Sequence, residues 1–112
     1  MRYQFGDVIL VDFPFSDRRA EKRRPGLVLD YDSHGDLLVA RITSNPPERA
    51  TDVRLYNWHT EGLNIPSTVR LLKLAMTNES YVPRYLGRLS VNDKTAVVDA
   101  LRGFVFTLEM VQ

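Results

Sequence analysis

Arg24-Pro25-Gly26-Leu27-Val28-Leu29-Asp30-Tyr31-Asp32-Ser33-His34-Gly35-Asp36-Leu37-Leu38-Val39-Ala40-Arg41-Ile42-Thr43 is the stretch that decides the fold. Pro25-Gly26 opens a strand over 27–32, where aliphatic β-formers dominate. Ser33-His34-Gly35-Asp36 is a turn by composition. A second aliphatic run, 37–43, follows at once, so the two runs form a hairpin. Upstream, Asp7-Val8-Ile9-Leu10-Val11-Asp12-Phe13 reads as another strand, stopped by Pro14. Downstream, Asn45-Pro46-Pro47-Glu48 breaks the sheet, 51–56 alternates like a half-exposed strand, and 57–62 holds a helical turn ending at Gly62. Residues 67–76 make a long strand. Ser90 then precedes an acid, Asp93, at capping spacing, and Val97, Leu101, Phe104, Leu108 and Val111 recur at helical spacing. Short strands closed by one terminal helix predict a single α+β domain over 1–112, mostly β and barrel-like, with the helix covering one side or mouth of the sheet and its apolar stripe in the core.

Composition narrows the chemistry. The chain has 112 residues, 44% hydrophobic and 26% charged, which is globular usage. At this length it buries roughly 65% of its unfolded surface, enough for one core. The absence of cysteine excludes disulfides, a thiolate nucleophile and thiolate metal sites. No apolar run approaches a membrane span, and the N-terminus lacks the apolar segment of a signal peptide, so the expected compartment is the cytoplasm, without membrane contact. Net charge is only +1, yet twelve of fifteen cations are Arg, and residues 18–24 carry five cations against one anion. A focused positive segment on a nearly neutral body points to an anionic partner.

Taken in order, five segments resemble the MazF/PemK (Kid) family of toxin ribonucleases from type II toxin-antitoxin systems, the PemK-like branch most of all. They are Gly6-Asp7-Val8-Ile9-Leu10-Val11-Asp12-Phe13, Arg24-Pro25-Gly26-Leu27-Val28-Leu29, Ala40-Arg41-Ile42-Thr43-Ser44, Pro66-Ser67-Thr68-Val69-Arg70-Leu71-Leu72-Lys73-Leu74 and Leu86-Gly87-Arg88-Leu89-Ser90. Each motif alone is common; the ordered set is specific. The resemblance implies a small SH3-like barrel of the MazF/CcdB type with a C-terminal helix. It also implies a homodimer, a cognate antitoxin, and an endoribonuclease that needs neither metal nor cofactor and cuts single-stranded RNA at short sequences (an mRNA interferase).

The resemblance places the catalytic Arg at Arg24 and the catalytic hydroxyl at Thr43, with Ser44 beside it, and a supporting Arg at Arg70. Metal-free cleavage needs the 2′-hydroxyl deprotonated, the phosphorane charge stabilised and the leaving 5′-oxygen protonated. A guanidinium stays charged and grips two phosphate oxygens at once, so charge stabilisation suits Arg24. Thr43 and Ser44 suit positioning. Asp17, Arg18, Arg19, Lys22 and Arg23 fit a phosphate-tracking loop, adding affinity rather than sequence choice. Lys73 shares a site with Arg70 only if a bulge intervenes, since residues three apart on a regular strand face opposite ways. Phe15, Tyr56 and Trp58 are candidate base-stacking partners.

Four positions depart from the family pattern: Arg19-Ala20 stands where many members have Glu-Gln, Leu72 where Kid-like members have Asp, and Ala75 where they have a later Arg. The family's carboxylate base is thus absent, leaving Glu21, Asp17 or a water. An alternative reading is a barrel of the same system that binds nucleic acid or a protein target without cleavage, as the related gyrase poison CcdB does. The Asp30–Arg41 stretch superficially matches a calcium loop, but Arg41 occupies the position of the bidentate Glu, and a hairpin turn explains it.

Overall fold

The computed structural model describes residues 2–13 and 22–111, with the side chains of Phe13 and Lys22 outside the description. Six strands form one antiparallel sheet: β1 (Asp7–Phe13), β2 (Lys22–Tyr31), β3 (Asp36–Thr43), β4 (Asp52–Leu55), β5 (Ser67–Asn78) and β6 (Arg84–Arg88), in the order β4-β5-β3-β2-β1-β6. A 20-residue helix, α1 (Val91–Met110), ends the chain. Short 3₁₀ turns lie at Trp58–Thr60 and Glu79–Tyr81. The sheet is barrel-like without closing, since β4 and β6 remain its edges.

The expected hairpin is present, with β2 and β3 antiparallel around a turn in which Asp32 Oδ1 accepts from the His34 and Asp36 amides at 2.9 Å. These amides, Asp36 first, hold the Asp32 carboxyl below its ordinary range, and they account for the acidic spacing without a metal. The β2 strand starts earlier than expected, taking Arg23 and Arg24 from the basic segment into the ladder opposite Asp12 and Val11. β6 is a strand the sequence did not announce.

The unbroken Val8-Ile9-Leu10-Val11 run suits a strand covered on both faces. Val8 joins the larger core with Leu27, Ile42, Val69, Leu71 and Val97. Ile9 and Val11, on the opposite face by strand alternation, join Val28, Leu37 and Val39. A register break on β5 lies between Arg70, opposite Arg41, and Leu74, opposite Ala40. Leu71, Leu72 and Lys73 bulge there, and the sheet bends.

Ser90 caps α1 as expected, its Oγ accepting from the Asp93 amide at 3.2 Å. Asp93, buried, accepts from the Tyr56 and Asn57 amides at 3.0 and 2.9 Å, tying the helix start to the end of β4. The apolar stripe is only partly core. Val97 is buried, but Leu108 is 55% and Val111 74% exposed. Helical periodicity marks an apolar face; it does not say how far the sheet extends beneath it.

Candidate functional site

Where β2 begins, β3 ends and β6 begins, the strands leave a cleft of about 390 Å³. Arg24 and Pro25 enter it from β2, Arg41, Thr43 and Ser44 from the end of β3, and Leu10 from β1. Arg84 and Leu86 of β6 form the opposite side. The loop 62–65 and Ser67 complete the wall. A larger groove of about 460 Å³ between Phe5 and α1 is almost wholly apolar and offers no comparable chemistry.

The cleft's charge is one-sided. Its described lining holds three arginines, three hydroxyls and one amide, with no carboxylate and no imidazole. Elsewhere Arg2, Arg23, Arg70 and Arg88 each face a carboxylate within 4 Å, whereas Arg24, Arg41 and Arg84 have no such partner among the described residues. Guanidiniums left unneutralised around hydroxyls favour an anion with several oxygens. Among the described residues no group of His, Asp and Glu is placed to hold a metal ion.

The local folding explains the placement. Strand alternation sends Ile42 into the core, leaving Arg41 and Thr43 on the other face. Thr43 Oγ1 accepts from the Asn45 amide at 3.2 Å, which turns the chain out of β3 and presents Ser44 to solvent. On the far wall, Gly62 has φ +87°, and a Cβ there would run into the Leu86 carbonyl. A Cβ on Gly87 would meet the Glu61 carbonyl at 2.6 Å, so both glycines let the loop close against β6.

Of the residues singled out from sequence, Arg24, Thr43 and Ser44 come together here. Arg70 does not line the cleft. It lies opposite Arg41, and register partners share a face, but its guanidinium turns to Asp52 at 3.6 Å and Glu48 at 3.8 Å. The bulge after Arg70 is present, yet Lys73 is exposed and outside the lining. Arg23 pairs with Asp12 at 2.8 Å and lies outside it too. Asp17, Arg18, Arg19 and Phe15 fall outside the described residues, as does the Lys22 side chain. Tyr56 is exposed and Trp58 packs on the core; neither reaches the cleft. Sequence reasoning gave no role to Arg41 or Arg84. The two-residue step from Arg41 to Thr43 was a usable signal; nothing comparable flags Arg84.

One further buried acid lies behind the wall. Glu61 is fully buried; its Oε2 accepts from the Ser90 amide at 2.8 Å, while Oε1 has no hydrogen-bond partner among the described residues. Burial, reinforced by Asp93 alongside and opposed by the Ser90 amide, pushes its carboxyl up to about 7.

Comparison with known proteins agrees with this architecture. The structure superposes on toxin MazF-mt6 of Mycobacterium tuberculosis with TM-score 0.72 at 24% identity, covering 90% of this chain and 96% of that one. It also superposes on a mycobacterial endoribonuclease solved with its cognate antitoxin (TM-score 0.74, 16% identity, 92% and 94% covered). A third likeness is to MazF from Deinococcus radiodurans (TM-score 0.68, 18% identity, 92% and 96% covered). These likenesses show the fold. No curated protein sequence matches the chain. The family model for PemK-like, MazF-like toxins of type II toxin-antitoxin systems matches residues 4–105, nearly the whole chain, which therefore belongs to that family.

Proposed function

We propose that this chain is an endoribonuclease toxin that cuts single-stranded RNA without a metal or cofactor. One observation carries the reading: Arg24 shares a cleft with Thr43, Ser44 and two further arginines, and among the described residues no carboxylate lines it or pairs with these three. In this reading the 2′-oxygen attacks phosphorus, the bond to the 5′-oxygen breaks, and the products are a 2′,3′-cyclic phosphate and a 5′-hydroxyl. Arg24 stabilises the phosphorane oxygens, and Thr43 and Ser44 hold the reacting groups in line. The 2′-proton passes to a water, Asp17 or Glu21, and the leaving 5′-oxygen takes up a proton from that group or from water. Arg70 supports the β4–β5 pairing behind the cleft through Asp52, and the basic segment ending at Arg23 tracks flanking RNA. Family membership supports a cognate antitoxin, whose disordered segment folds onto the toxin, and a homodimer.

The test is cleavage of a long unstructured RNA in excess EDTA by wild type, Arg24→Ala and Thr43→Ala. Discrete fragments with 5′-hydroxyl ends are expected from wild type, falling by about 10²–10³ for Arg24→Ala. Equal cutting by wild type and Arg24→Ala would sink the assignment. A second reading, binding without cleavage, is favoured by the lack of any carboxylate or imidazole in the described lining. It predicts a retained complex and intact RNA.

A further inference from the structure

Resting on that reading, we infer that the RNA backbone crosses the strands of the sheet and that Arg41 and Arg84 hold the phosphates on opposite sides of the scissile one. The strand order β3-β2-β1-β6 puts Arg24 between them: Arg41 is on the strand to one side and Arg84 two strands to the other. Neighbouring strands lie about 4.8 Å apart, so the backbones carrying Arg24 and Arg84 are separated by about 10 Å. Arg84 lies opposite Leu10, and Leu10 opposite Pro25, a cross-strand row on the face opposite to that of Arg24 and Arg41, so the three arginines converge at the strand ends where the cleft opens. No carboxylate in the described lining lies among the three or neutralises any of them. One diester phosphate offers two unbridged oxygens, which one guanidinium satisfies. Three guanidiniums spread over four strands fit three successive phosphates better than one. The substrate is then a chain with charged linkages on both sides of the cut, not a dinucleotide.

The test uses oligonucleotides spanning the mapped cut site, each with one uncharged methylphosphonate linkage immediately 5′ or 3′ of the scissile phosphate. A 2′-deoxy substitution at the cut allows binding to be read without cleavage. Arg41→Gln and Arg84→Gln should each weaken binding to the fully charged strand about tenfold and lower its salt slope by about 0.7. Each variant should be indifferent to the neutral linkage on its own side and still sensitive to the other, and the two should choose opposite sides. Arg102→Gln, the same charge change on α1, should do neither; unaltered melting of all three shows that the fold is kept. Sensitivity of both variants to the same linkage, or losses no larger than that of Arg102→Gln, overturns the proposal. Wild type that binds but does not cut loses the nuclease reading and keeps the track if binding has a three-phosphate salt slope. Wild type that neither binds nor cuts overturns both.

Discussion

Arginines 24 and 70 show how partner choice separates roles that sequence leaves equal. Both sit on strands beside β3, yet one faces no carboxylate among the described residues and the other is anchored. The Asp52 side chain is 3% exposed, and it also accepts from the Glu48 and Arg49 amides at 2.9 and 3.1 Å. Removing Arg70 strips a buried carboxylate of its cation. Arg70→Met should therefore cost about 1–3 kcal/mol, read as a lowered denaturation midpoint, and more than Arg24→Ala costs. Equal losses would show that Asp52 does not depend on Arg70. Arg24 and Thr43 could be singled out because the family resemblance marks their two strand ends, and the fold brings both to one cleft. Whether a strand arginine is neutralised was not legible: Glu48 reaches Arg70 from the loop before β4, and Asp52 stands opposite it only through the pairing of β4 with β5.

At the scale of elements, the hairpin, β1, β5 and the capped start of α1 were readable because each carries a local signal: a turn composition, an aliphatic run or a Ser–Asp cap. β6 carried none. It is five residues long, follows Pro83, and buries no side chain fully. Its place is set from outside, by pairing with β1 and by the loop lying on Gly87. A register shift between Val8 and Ile9 leaves Leu86 as the extra residue and tilts Arg84 and Leu86 into the cleft wall. Gly87→Ala forces a Cβ against the Glu61 carbonyl, so it should destabilise by about 1–3 kcal/mol. Amide exchange across β6 should speed up first, and an unchanged exchange pattern would mean that the loop yields instead.

For the molecule as a whole, the buried acid at the junction of loop, β6 and helix sets a pH dependence. The Glu61 carboxyl titrates near its ordinary 4.5 in the unfolded chain and at about 7 in the fold. Between those values only the folded state keeps the proton, so it binds more protons than the unfolded state and stability falls as pH rises. This contribution is complete below about 4.5 and is lost as pH passes through 7. Glu61→Gln keeps an acceptor for the Ser90 amide and removes the titration. It should flatten the stability profile between pH 5 and 7.5 in denaturant midpoints at stepped pH; a slope matching wild type would place the titration elsewhere. The strand order has a consequence in time as well as in space. β1 is made first and β6 almost last, and they meet across about seventy residues of intervening chain. Every fragment ending before residue 84 lacks one of the three cations in the described cleft lining. The described cleft lining is thus completed only once β6 has been synthesised, after every other strand, so a nascent chain that has not reached residue 84 carries a cleft open on one side.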